Sequence, residues 1–178
     1  MSKQELVQKH MRIIEDFPSP GISFKDITTV LQNPQTLEAM VDVLKEALEG
    51  ISFDYILGVE ARGFICGAAL AYATGTGFLM ARKPGKLPGH LIREEYELEY
   101  GSATVELDVD SVPDGAKVVV LDDLLATGGT ARAVCHLVEK AGGKVVCVEF
   151  LAELTDLGGR KVLEEEGYPV ISVLQWDH

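Results

Sequence analysis

Residues 117–130, KVVVLDDLLATGGT, carry a β-branched strand into a helix with almost no chain between them. Val118, Val119, Val120 and Leu121 end in two adjacent carboxylates, Asp122 and Asp123. The turn Ala126-Thr127-Gly128-Gly129-Thr130 follows, and a helical pattern begins at once. A strand that feeds straight into a helix belongs to a βα unit, whose strands pair in parallel beneath covering helices. The rest of the chain repeats this alternation. Short apolar runs at 55–59, 77–80, 145–151 and 170–174 read as further strands, and 63–74, 130–141 and 157–166 read as helices. The expected fold class is α/β, with a parallel sheet covered on both faces and ligands at the C-terminal ends of its strands. Asp122, Asp123 and the Glu60-Ala61-Arg62 turn should meet there.

The order of residues in 122–130 points to chemistry. Two carboxylates at a strand end can accept hydrogen bonds from vicinal ribose hydroxyls. Gly128 and Gly129 let backbone N–H groups converge on a phosphate. The helix start adds its positive end, and Thr127 and Thr130 add hydroxyl donors. A Walker A loop is excluded, because no lysine follows the glycines. A dinucleotide fingerprint is excluded too, because here the acids precede the glycines. A plain buried strand with a helix cap would account for one Asp and one Gly, but not for two Asp, two Gly and two Thr in nine residues.

Outside these units the chain has clear punctuation. Ser2-x-x-Glu5 has capping-box form, and helical spacing continues through Ile14 until Pro18, Pro20 and Gly21 break it. Asn33-Pro34 reads as a helix cap and first position, with Leu37, Met40, Val41, Leu44, Ala47 and Leu48 forming one apolar stripe ended by Gly50. Residues 94–107 alternate around Gly101-Ser102 as a hairpin would. That hairpin is either a flap over the site or a solvated ribbon. A formal net charge of −12 argues against general nucleic-acid or anionic-membrane binding. No apolar run approaches the ~20 residues of a membrane span. Three separated cysteines without a C-x-x-C pair read as buried residues in a reducing cytosol. The length suits one domain, 1–178. The four histidines show no mutual spacing and receive no catalytic role, and Trp176 reads as packing.

LDDLLATGGTA resembles the phosphoribosyl-pyrophosphate (PRPP) motif of type I phosphoribosyltransferases, in the form used by their adenine-directed branch. FPSPGISFKDIT (17–28), GVEARGF (58–64), RKPGKLPG (82–89), YELEYGSATVEL (96–107) and ELTDLGGR (153–160) agree with it. The resemblance covers nearly the whole chain. It implies the type I phosphoribosyltransferase fold: a central, mostly parallel sheet flanked by helices, an N-terminal hood at about 1–33 and a flexible hairpin flap at about 82–108. It also implies a cytosolic homodimer in purine salvage that makes AMP and pyrophosphate from adenine and PRPP. Mg²⁺ would be carried by PRPP and water, with no direct protein ligand.

The site residues follow from the same resemblance. Asp122, Asp123 and Ala126 to Thr130 would hold the ribose and 5′-phosphate. Glu60, Ala61, Arg62, Arg82, Lys83, Lys86 and Tyr100 would hold pyrophosphate, with a non-proline cis peptide between Glu60 and Ala61. From composition alone, Arg82, Lys83 and Lys86 read as a solvated basic loop. In the family that loop reaches the partner subunit's site. Glu99 would accept the purine proton, and Arg62 would assist catalysis. Ile22, Phe24, Lys25 and Leu154 would bind adenine, Phe24 by stacking unless it is a core aromatic. Lys25 stands where an arginine is common, which keeps the charge and loses bidentate geometry. Two other functions are weighed: the same transfer to hypoxanthine or xanthine, and a PRPP-sensing regulatory protein. The second would favour a basic surface, which this acidic chain lacks.

Overall fold

Five parallel strands form the centre of the computed structural model, which describes residues 1–98 and 101–177. The elements are α1 (Lys3–His10), β1 (Arg12–Ile14), β2 (Phe24–Asp26), α2 (Thr28–Gln32), α3 (Pro34–Ala47), β3 (Tyr55–Val59), α4 (Arg62–Thr74), β4 (Gly77–Ala81), β5 (Leu91–Glu97), β6 (Ser102–Asp108), β7 (Lys117–Leu125), α5 (Gly129–Lys140), β8 (Lys144–Leu154), α6 (Gly159–Glu165) and β9 (Val170–Trp176). Short 3-10 turns lie at Val109–Ser111 and Thr155–Leu157.

The central order is β4-β3-β7-β8-β9, and every neighbouring pair is parallel. The chain leaves β3 for β4 on one side and returns to β7 on the other. The connections therefore diverge between β3 and β7, where open α/β sheets place their ligands. Gly58 is opposite Leu121 in the register, so Glu60 and the two aspartates emerge together beyond it.

Alternation along β7 divides the core into two layers. Val118 and Val120 pack with α5, while Val119 and Leu121 pack with α3 and α4. All four are fully buried, as a strand covered on both faces requires. The Asn33 side chain accepts the Gln35 N–H at 2.8 Å and caps α3. Met40, Leu44 and Leu48 are buried beneath that helix, with Leu37 and Val41 at the edge.

The N-terminal helix is shorter than its periodicity suggests. The Ser2–Glu5 capping box forms, but α1 ends at His10. Ile13 and Ile14 instead pair with Lys25 and Phe24 in an antiparallel ribbon, where β-branched side chains fit better. α2 forms just before the Asn33 cap, in a stretch to which the sequence reading assigns no element.

β5 and β6 form the expected hairpin, from Leu91 opposite Asp108 to Glu97 opposite Ser102. Val105 and Leu107 are buried in the α5 layer, with Ile92 and Tyr96 packed against it. The hairpin thus lies on the core along one face.

Candidate active site

Asp122 and Asp123 point to opposite faces at the end of β7. Asp123 is buried and pairs with Arg62 Nε at 2.5 Å. Asp122 accepts the Asp123 N–H at 2.9 Å. Enclosure by protein, then the charge of Asp123, push the Asp122 carboxyl well above its ordinary value.

Beyond them the turn bends through Gly128, whose φ of +84° favours glycine. The turn and Asp122 line a hollow of about 90 Å³. α5 starts at Gly129 without a side-chain cap, as α2, α4 and α6 also do, but it starts at the turn that lines the hollow. Its first-turn N–H groups and positive end are therefore left for an anion. Ala126, Thr127, Gly128, Gly129 and Thr130 all border this hollow, as the sequence suggests.

The facing turn leaves β3 through a cis peptide between Glu60 and Ala61, at the position the resemblance implies. α4 begins at Arg62, also without a side-chain cap. A Cβ at Gly63 would stand 3.0 Å from Asp122 Oδ1 and from the Leu121 carbonyl, a tight approach that glycine relieves where α4 starts against β7. The Arg62 guanidinium lies 5.2 Å from the centre of the Phe24 ring while it pairs with Asp123. Phe17 meets Phe24 edge to face at 5.2 Å. Arg62 thus joins the N-terminal ribbon to the carboxylates.

The other predicted adenine contacts are placed less directly. Lys25 is buried and donates to Ser23 Oγ at 2.8 Å. Ile22 uses both backbone groups inside its own loop: its N–H reaches the Ser19 carbonyl and its carbonyl accepts from the Phe17 N–H, both at 3.2 Å. Leu154 is buried at the end of β8, opposite Trp176. Glu99 and Tyr100 lie outside the described residues.

The basic loop is held by carboxylates that motif reading did not connect to it. Glu60 accepts from Arg82 Nε and Nη2, each at 3.2 Å, and from the Lys83 N–H at 2.9 Å. The Arg82 side chain, then the Lys83 N–H, hold the Glu60 carboxyl below its ordinary value against the opposing effect of burial. Arg82 also lies over the Phe64 ring. Fully buried Glu106 accepts the Gly85 N–H at 3.2 Å and forms an ion pair with Arg93 at 2.8 Å. The Glu60 side chain therefore positions cations, while Lys83 and Lys86 are exposed. His136, given no role in the sequence, bridges Glu94 of the hairpin at 3.2 Å and Glu166 at 2.6 Å. Apart from the Arg93–Glu106 pair, which lies across the hairpin, nothing in the local sequence signals these bonds, because each spans 21 or more positions.

Among the described residues, no group of three or more His, Cys, Asp and Glu gathers as a metal cage. No helix among them is long and apolar enough to cross a membrane.

Comparison with known proteins places this geometry. The family model for the phosphoribosyl transferase domain matches residues 26–177. An adenine phosphoribosyltransferase of Desulfitobacterium hafniense (strain Y51) is 51% identical, over 94% of this chain and 96% of its own. The crystal structure of adenine phosphoribosyltransferase from Thermoanaerobacter pseudethanolicus superposes with a TM-score of 0.93 at 49% identity, covering 97% of this chain and 99% of that one. The Saccharomyces cerevisiae enzyme, complexed with D-2,5-dideoxy-2,5-imino-altritol 1,6-bisphosphate and adenine, has a TM-score of 0.90 at 38% identity, covering 97% and 98%.

Proposed function

The chain belongs to the phosphoribosyltransferase family, and we propose from that premise that it transfers the 5-phosphoribosyl group of PRPP to adenine. The products are AMP and pyrophosphate, and the role is purine salvage. A purine nitrogen bonds to the anomeric carbon as the bond to the pyrophosphate oxygen breaks. The observation that carries this reading is the Asp122–Asp123 pair at the divergence of β3 and β7, beside an uncapped helix start.

In this reading Asp122 and Asp123 orient the ribose hydroxyls and residues 126–130 hold the 5′-phosphate. Positioning of this kind accounts for much of the rate in such displacements. Arg62, Arg82, Lys83, Lys86, Tyr100 and the backbone at Glu60 and Ala61 surround the departing pyrophosphate, where negative charge develops. Phe24 stacks on adenine, with Ile22, Lys25 and Leu154 around it. Glu99 accepts the purine proton. Mg²⁺ neutralises the pyrophosphate when bound. The carboxylate pair beside Arg62 suits a metal that keeps phosphate oxygens and water as its ligands.

We place the protein in the cytosol as a homodimer. Free, buried Cys66, Cys135 and Cys147 suit a reducing compartment. Ile65 and Tyr72, one face of α4, are exposed apolar residues that a second copy can cover. The test of function supplies PRPP and Mg²⁺ with adenine, hypoxanthine, guanine or xanthine and follows pyrophosphate release. Release with adenine alone is expected. Release with a 6-oxopurine instead would overturn the base assignment, and light scattering that finds a monomer would overturn the dimer.

A further inference from the structure

Of the segment ELTDLGGR (153–160), only Leu154 has a part in the chemistry above, yet its glycines touch the phosphate turn. Gly158 has a φ of +76°, which suits glycine. Gly159 must be glycine for a different reason. A Cβ there would stand 2.3 Å from the Ala126 carbonyl oxygen, 2.7 Å from Leu125 Cδ1 and 3.0 Å from the Gly128 nitrogen. A Cβ at Gly128 would in turn stand 2.8 Å from the Gly159 carbonyl oxygen. The two backbones are in contact, and neither has room for a methyl group. Ala126 and Gly128 line the 90 Å³ hollow, whereas Gly159 lies outside it. Gly159 therefore backs the turn from behind.

Its neighbour fixes its place. Arg160 donates to Glu153 through two nitrogens, Nε at 3.0 Å and Nη2 at 2.7 Å. It also donates to the Val170 carbonyl at 2.9 Å and to Ser172 Oγ at 2.8 Å. Glu153 is 3% exposed and accepts from the Ser172 hydroxyl as well. This two-pronged pair fastens the start of α6 to β8 and β9 in one orientation.

We propose that Gly159 is a positioning residue for the 5′-phosphate, seated by the Arg160–Glu153 pair, and that it sets the shape of the 126–130 turn. The proposal rests on the reading of that turn as the 5′-phosphate site. A methyl group at 159 must push Ala126 or Gly128 away, and the small hollow leaves little space for such a shift.

The test is calorimetry of ribose 5-phosphate and of pyrophosphate with Mg²⁺, on wild type, Gly159→Ala and Arg160→Met. Gly159→Ala should weaken ribose 5-phosphate by about tenfold to a hundredfold, the scale of a displacement near 1 Å. Arg160→Met should weaken it about threefold, since the seat loosens without a clash. Pyrophosphate affinity should hold in both, a split that general damage would not produce. Unchanged ribose 5-phosphate affinity in both variants overturns the proposal, and so does an equal loss for both ligands. If Gly159→Ala does not fold, the same split in Arg160→Met decides. Wild type that binds ribose 5-phosphate but makes no AMP would overturn the proposed function and leave this inference standing.

Discussion

The phosphate turn and the basic loop lie at the same end of the sheet but are built by different means. The turn takes its shape from residues adjacent in sequence: a strand end, two glycines and a helix start within 117–130. Its backbone is the binding surface. The loop at 82–89 has no such internal order. Its Arg82 side chain and two of its N–H groups are held by Glu60, in the turn after β3, and by Glu106 of β6. A surface made of backbone is rigid and specific for shape. A surface held by distant carboxylates carries charge and can be released.

The largest effect is expected where the carboxylates of β7 meet the start of α4. Asp123 anchors Arg62 and flanks the ribose site, so Asp123→Ala frees an arginine and removes a diol contact together. Its kcat/KM for PRPP should fall about a hundredfold, the scale of a lost charged hydrogen bond in a buried site. A loss under tenfold would show that Arg62 finds its place without this partner.

Glu60→Gln sharpens the contrast. The amide still accepts the Lys83 N–H but no longer balances Arg82. The KM for PRPP should rise about five- to tenfold, with a steeper dependence on salt than in wild type. The folded Glu60 carboxyl titrates below its ordinary value of 4.5. The latch it forms is therefore complete above pH 4.5 and is lost as pH falls through the lowered folded value. A loss as large as that of Asp123→Ala would erase the distinction between the regions.

The same distinction explains what could be read in advance. The strand, carboxylates, turn and helix of 117–130 are local, and all appear where the sequence places them. The Asn33 cap is equally local. The helical spacing beyond His10 misleads, because pairing of Ile13 and Ile14 with β2 overrides it. The Glu60–Arg82 bond spans 22 positions and the Glu94–His136 bond spans 42, so no window of sequence contains either. Gly159 announces itself only as one of two adjacent glycines, and its contact with Ala126 exists only after α6 docks.

His136 tests whether the hairpin shares the loop's releasable character. Burial lowers its pKa, but Glu166 and Glu94 together outweigh that and raise it above 6.5. The clamp is complete below pH 6.5 and is lost as pH rises through the raised value. Amide exchange in β5, corrected for intrinsic pH dependence, should speed up between pH 6 and 9 in wild type. In His136→Gln it should be about two- to threefold faster at the low end, and flat. Parallel curves for the two proteins would remove His136 from control of the hairpin.

Glu149 supplies the opposite case, a carboxylate that holds nothing. It lies fully buried on β8, on the face that packs with α3 and α4, and neither oxygen has a hydrogen-bond partner among the described residues. Burial pushes its pKa up to about 9 from an ordinary 4.5. The folded protein therefore keeps a proton that the unfolded chain releases, and stability falls as pH rises from 4.5 toward 9. Glu149→Leu should leave the KM for PRPP unchanged, because the residue braces neither the turn nor the loop. It should raise stability near pH 7 by about 1–3 kcal/mol, the cost of an unsatisfied buried polar group. Urea unfolding at pH 6 and pH 8 should show wild type losing stability relative to the variant. Equal losses in the two proteins would mean that Glu149 has a partner after all, and that every buried carboxylate near this site is employed.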